Sequence, residues 1–265
     1  MRGSIIIYVL WMITLLSGLV FFTLYQIRYS YTRSSHFVDN WTFLYEARAL
    51  AVTAVNLALK DPSILRLNSP LPYYISNRKY RVYVSAEEAK ISLPLINADI
   101  LKNLLLNLGM SENKAKEISE NVMSFLGRGT SYQEGPSPHG DISSITELFY
   151  VKGMDRETYK ELQKYLTPVA TLTNINYAPE PVLLALGLTD SEVKSVKEQI
   201  KMSGYINPEW FQNLLGPSRS YIALRFLYVP NPMYYHVKVV KYEPFYDEMD
   251  FIVTSYGEVL DAWQN

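Results

Sequence analysis

The sequence predicts an α+β protein: a long N-terminal helix, a small antiparallel sheet, and a large all-α insertion of helix-hairpin-helix type between the sheet strands. Three observations predict it. The opening residues form an uncharged apolar run that leads into an amphipathic helical pattern. Short alternating stretches rich in β-formers stand on both sides of the middle of the chain. The middle itself carries one glycine-then-cap pattern in three copies.

Residues 4–27 read SIIIYVLWMITLLSGLVFFTLYQI, with no Asp, Glu, Lys or Arg. As a helix this run is roughly 36 Å long, enough to cross a bilayer core of about 30 Å. In lipid a single span satisfies its backbone only as a helix. Tyr25 and Tyr29 are placed for the far interface, whereas Trp11 lies deep. A cleaved signal peptide has a shorter apolar core ending at a small-x-small site, and Gln26-Ile27-Arg28-Tyr29 stands here instead. Arg2 on one side and Arg28 and Arg33 on the other do not orient the span by charge. Residues 39–59 continue as an amphipathic helix. Phe43, Ala47, Leu50, Ala51, Ala54, Val55 and Ala58 recur near the helical period, and Asp61-Pro62 ends it. The helix is expected either to be continuous or to break near Ser34-Ser35.

Pro70 to Pro72 reads as a loop. Residues 80–85 alternate as a strand, and 90–93 as a second short one. The span 97–216 then turns helical. Its three copies run from Asn107, Val151 and Ala185. In each, a helix stops at glycine (Gly109, Gly153, Gly187) and restarts at a capping residue (Ser111, Asp155, Thr189). Met110, Met154 and Leu188 are expected to plug the hairpin cores. Such hairpins can hold DNA phosphate on their turn amides. An alternative function is therefore a membrane-anchored DNA receptor, with Lys114 and Lys152 on the phosphates. The span 97–216 carries 11 Lys and Arg against 15 Asp and Glu, net −4, so packing is the favoured role. Residues 127–140, GRGTSYQEGPSPHG, form a loop without phosphate-loop spacing. After Pro217, strands are expected at 221–229, 235–242, 250–255 and 259–263, joined as an antiparallel meander.

Composition narrows the function. With 265 residues, the chain is long enough for one large or two modest domains. The absence of cysteine excludes disulfides, thiol nucleophiles and Cys-held metals. A net charge of −1 gives no general attraction to nucleic acid. The 22 tyrosines fit strand and surface packing. His36, His139 and His236 stand in no metal frame and read as surface or partner-facing residues. Glu87-Glu88 and Asp247-Glu248 read as solvated pairs. Glu134, Asp141 and Glu147 offer oxygens, but their spacing fits no calcium loop. No catalytic constellation appears, and no enzyme activity is expected.

Several stretches carry a family resemblance. They are Gly3 before the long apolar helix, Ala47-Arg-Ala-Leu-Ala, Glu88-Ala-Lys-Ile-Ser-Leu, Ser144-Ile-Thr-Glu-Leu-Phe-Tyr-Val-Lys-Gly-Met-Asp with Tyr159, and Val259-Leu-Asp-Ala-Trp-Gln. The most specific is Asn174-Ile-Asn-Tyr-Ala-Pro-Glu-Pro-Val-Leu-Leu-Ala-Leu, with Tyr177 where the family usually has Thr. Together they resemble the K-type minor pseudopilin of type II secretion, the GspK family, which is type IV pilin-like.

The resemblance implies a pilin-like fold whose long helix packs on the sheet. It implies a prepilin leader at 1–3, a transmembrane helix at 4–27 and a pilin-like domain begun by 28–96. An α-helical domain at 97–216 would be inserted, and 217–265 would supply the closing strands. Prepilin peptidase would cut after Gly3 on the cytoplasmic side and methylate Ser4. Pilins generally carry Glu at the fifth mature position, here Tyr8, and the K type typically lacks it. The implied place is the inner membrane, single-pass, with the folded domain in the periplasm. The implied role is at the pseudopilus tip, starting assembly and supporting export across the outer membrane. Implied partners are the minor pseudopilins of I, J and H type, the major pseudopilin and prepilin peptidase, with no nucleic acid. The family often has an Asp-rich calcium loop where 127–140 stands; that loop is poor in carboxylates here, and no cofactor is expected.

Overall fold

The computed structural model describes residues 2–67, 69–75, 78–128, 142–243 and 246–264. Met1 and the stretch 129–141, with Glu134, His139 and Asp141, lie outside the described residues. The chain divides into two units, Met1–Arg48 and Ala49–Asn265.

Helix α1 (Arg2–Lys60) passes Ser34-Ser35 without a break. In the first unit its apolar side chains point outward: Leu16 is 59% exposed and Phe21 79%. Thr14 and Thr32 turn their hydroxyls back onto the carbonyls of Leu10 and Arg28, at 2.8 and 2.9 Å. Both hydroxyls are thereby satisfied within the helix itself. Phe37, Trp41 and Tyr45, four residues apart, meet in sequence, Phe37 edge-on to Trp41 at a centroid distance of 6.0 Å and Trp41 stacked on Tyr45 at 6.1 Å.

In the second unit the end of α1 buries Leu50, Ala51, Ala54, Val55 and Ala58. Three alanines on this stripe allow close approach of backbone. Gly257, at φ +84°, sits where a Cβ would come within 3.3 Å of Val52. After α2 (Ile64–Leu67) come β1 (Leu71–Ile75) and β2 (Arg78–Ala86). Pro72 therefore stands inside a strand, not in the expected loop. A proline lacks a donor for the ladder but is tolerated on an edge strand, and β1 is an edge.

The rest of the chain runs in order through β3 (Ile91–Ser92), α3 (Ala98–Asn107), α4 (Glu112–Phe125), α5 (Arg156–Leu162), β4 (Leu166–Thr167), β5 (Thr173–Asn174), α6 (Glu180–Ala185), α7 (Asp190–Ser203), α8 (Pro208–Leu215) and β6 (Phe226–Leu227). It closes with β7 (Tyr234–Lys241), β8 (Asp247–Thr254) and β9 (Val259–Gln264). The main sheet has the order β1-β2-β7-β8-β9 and is antiparallel throughout. Val84 faces Val237, which faces Phe251, so the inner side chains of three strands form one apolar layer. Tyr80, Val82, Tyr235 and Val239 complete it, all buried. This is the α+β arrangement expected: a long N-terminal helix, a small antiparallel sheet and further helices.

The helical part has its own core of Leu101, Leu104, Ile118, Val122, Val193 and Phe211, all buried. The 97–216 stretch is not wholly helical. β4 pairs in parallel with β3, and β5 pairs in parallel with β6. The expected strand at 221–229 is a second correction. Residues Pro217–Arg225 form a 3-10 helix, and only Phe226–Leu227 are extended. Alternation does not separate those states when the segment is fixed from outside, as here. Arg225 donates to the Leu186 carbonyl at 2.8 Å, and Arg219 donates to the Gly187 carbonyl.

Candidate functional site

The hairpin turns come first. Gly109 and Gly187 adopt φ of 85° and 108°, and their turns share one hydrogen-bond pattern. Gly109 N–H donates to Leu106 at 2.9 Å and Gly187 N–H to Leu184 at 3.0 Å. Met110 N–H donates to Leu105 at 3.0 Å and Leu188 N–H to Leu183 at 3.2 Å. These amides close helix C-termini and so are already engaged. The second copy differs. Gly153 is left-handed, but a 3-10 helix, Ile145–Tyr150, precedes it in place of an α-helix. Caps differ too. Asp155 and Thr189 accept backbone N–H bonds as expected, whereas Ser111 makes no side-chain cap bond. Leu188 is buried, while Met110 and Met154 pack half-buried against the core. Lys114, named for a phosphate role, is bound to Asp155 at 2.7 Å. That contact first, and the bond from Thr158 next, hold the Asp155 carboxyl down to about 2.

A buried polar seam runs where the sheet meets the helical part. Glu87 and Glu88 are 0% and 1% exposed, so the expectation of a solvated pair is overturned. They do not continue the strand: β2 ends at Ala86 and Glu87–Ala89 form a 3-10 turn that takes both side chains inward. One Glu88 oxygen accepts from the Met233 N–H at 2.9 Å, and the other has no partner among the described residues. Burial pushes the Glu88 carboxyl up. Lys90 Nζ lies 2.8 Å from a Glu87 oxygen, off the hydrogen-bonding direction.

The Asn174-Ile-Asn-Tyr segment completes the seam. Asn174 Nδ2 and Asn176 Nδ2 both donate to the Val229 carbonyl, at 2.9 and 3.1 Å. Asn176 Oδ1 accepts from the Ile206 N–H at 2.7 Å. Tyr177 donates to the Pro230 carbonyl, with the Arg66 guanidinium 5.9 Å from its ring centre. Two asparagines thus fasten three chain segments that are remote in sequence. Each buried amide is matched, which is what low-dielectric burial demands. Tyr235 is fully buried, its hydroxyl has no partner among the described residues, and burial pushes it to about 12.

The remaining sequence candidates scatter. Gly3 and Ser4 fall in the first turn of α1, and Tyr8 is 74% exposed on the same helix. Glu147 closes a capping box with Ser144 and accepts the Ser143 N–H at 2.9 Å. Asp247 and Glu248 are half-buried in β8, and Glu248 meets Lys238 at 3.0 Å. His236 is half-buried, not a plain surface residue: it pairs with buried Asp250 at 2.9 Å and stacks on Trp263 at 5.8 Å. Among the described residues no group of three His, Cys, Asp or Glu is arranged to hold a metal.

A cleft of about 880 Å³ opens between the outer face of the sheet and α5. Its floor includes His236, Lys238 and Trp263, and its wall Phe149, Arg156 and Lys160. No sequence motif marked it. Its one signal is Arg156 and Lys160 set four apart around Tyr159, which puts both cations on one helix face.

No protein-family model matches the sequence, and no curated protein matches it. Among solved structures, the chain matches one in the crystal structure of the GspK-GspI-GspJ complex from the enterotoxigenic Escherichia coli type 2 secretion system. The identity is 16%, the TM-score is 0.64, and the match covers 88% of this chain and 99% of that one. At that identity the likeness is one of fold, and it agrees with the pilin-like resemblance drawn from the residues.

Proposed function

We propose that the chain is a K-type minor pseudopilin of a type II secretion system. It is cut after Gly3, methylated on Ser4 and held in the inner membrane by 4–27, with its folded domain in the periplasm. It sits at the pseudopilus tip with the I and J types, beside the H type and above the major pseudopilin. There it starts assembly and supports export across the outer membrane, with no chemistry of its own. The observation that carries this reading is the fold shared with nearly the whole of a chain from the GspK-GspI-GspJ complex, joined to an apolar N-terminal helix that the chain itself leaves uncovered. Described residues of that helix suffice by length and composition to cross a membrane. Tyr8 fits a tip subunit: a Glu there would lie in lipid with no subunit above to neutralise it, an expensive arrangement.

Co-expression with prepilin peptidase tests the reading by intact mass. The chain is expected to lose its first three residues and gain one methyl group, and Gly3→Arg is expected to block both. A mature chain that retains Met1 in the presence of active peptidase would overturn it.

A further inference from the structure

We propose that the cleft beside α5 binds an acidic polypeptide segment that also carries an aromatic side chain. The inference goes beyond the pseudopilin reading, because it concerns a site within the second unit and not the anchor.

Strand register builds the floor. Lys238 lies opposite Asp250, which lies opposite Trp263, so these side chains share the outer face of the sheet with His236. The acids there are already used. Asp250, 3% exposed, is held by His236 at 2.9 Å, and Glu248 by Lys238 at 3.0 Å. The wall is different. Arg156 and Lys160 are exposed, and among the described residues neither has an acidic partner. Neighbouring cations are taken: Lys164 by Glu161, and Lys114 by Asp155. Two cations without an acidic partner among the described residues therefore face a floor whose Glu248 is matched by Lys238 and whose Asp250 is buried beneath His236, which leaves the cleft complementary to added negative charge.

Aromatic surface stands alongside. Phe149 is 53% exposed and meets Tyr159 edge-on at 5.6 Å, and Trp263 lies flat against His236 at 18° between planes. Such faces suit an aromatic side chain. The volume, about 880 Å³, is far more than a lone inorganic anion fills and is at the upper end of ordinary ligand pockets. A short acidic peptide with an aromatic side chain meets charge, surface and volume together.

Fluorescence anisotropy on the full chain in detergent tests this, with fluorescein-labelled Asp-Glu-Phe-Glu-Asp as probe and its amide analogue, Asn-Gln-Phe-Gln-Asn, as control. The acidic peptide is expected to bind saturably and the amide analogue not. The double variant Arg156→Glu with Lys160→Glu is expected to weaken binding roughly tenfold or more, and the milder Lys160→Gln about threefold, as for desolvated charge pairs. Lys152→Glu, outside the cleft, is expected to leave affinity within about twofold, as for a rim charge. Failure of the acidic peptide to bind the folded chain, equal binding of the amide, or unchanged affinity in Lys160→Gln overturns the proposal. Prepilin processing is a separate readout, so loss of one conclusion is distinguishable from loss of the other.

Discussion

Two stretches of leucine-rich helix in this molecule face opposite fates. Leu16, in the first unit, is 59% exposed; Leu104, in α3, is 0% exposed. Their hydrophobicity is the same, and only their neighbours differ. The α3 pattern alternates apolar with polar positions, so one stripe turns inward and the other meets water. The 4–27 run has no polar stripe, and its outward side chains find no cover within the chain. Apolar content therefore says that water is avoided, and periodicity says whether the chain supplies the cover itself: α3 finds it in a core, whereas the 4–27 run has the length and composition to span a membrane.

The sharpest way to break that contrast is a matched truncation. Leu104→Ala is expected to cost about 2–5 kcal/mol of domain stability, since a cavity remains in a packed core. Leu16→Ala is expected to stay within about 0.5 kcal/mol on the same urea curve, recorded in detergent by near-UV circular dichroism. Equal losses at both sites would mean that the opening helix is part of the domain core.

A smaller contrast lies within the repeated hairpins. Asp155→Ala is expected to cost about 1 kcal/mol through its lost cap, and Ser111→Ala close to nothing. Asp155 is held down to about 2, so its contribution is full above the ordinary carboxylate range and fades as pH falls toward that value. Thermal melts of both variants at neutral and acid pH check this. The finest contrast is a slope. Glu88 is raised in the folded chain by burial, so the folded state holds its proton more tightly than the unfolded one. Stability is then expected to decline as pH rises from the ordinary Glu value, 4.5, through the raised one. Glu88→Gln, which still accepts from Met233, is expected to flatten that decline in urea midpoints taken from pH 4 to 8.

The long helix and strands β2, β7, β8 and β9 were legible because each repeats its period over enough residues to be unambiguous. The three glycine stops were legible as well, each at positive φ. What escaped was fixed from far away. Pro217–Arg225 alternates like a strand yet coils, because its arginines reach the turn at Gly187. Ser111 has a capping residue's chemistry but not its bond. Glu87-Glu88 read as solvated from their charge, but a 3-10 turn after β2 folds both inward, and nothing in the local sequence marks that turn. The Asn174 and Asn176 pair was visible as a motif, but its role depended on Val229 and Ile206, remote in sequence. The cleft was invisible because its walls come from separate elements, and only the spacing of Arg156 and Lys160 hinted at it.

The seam between β2 and β7 has a consequence for how the protein is made. Ala86 finds its partner only in Tyr235, so the central ladder must wait for nearly the whole polypeptide to leave the ribosome. Until then β2 and its hairpin partner carry an open apolar edge, while the helices between can already consolidate through nearby contacts. A nascent chain stalled before β7 would thus present a finished helical block tethered to an unfinished sheet.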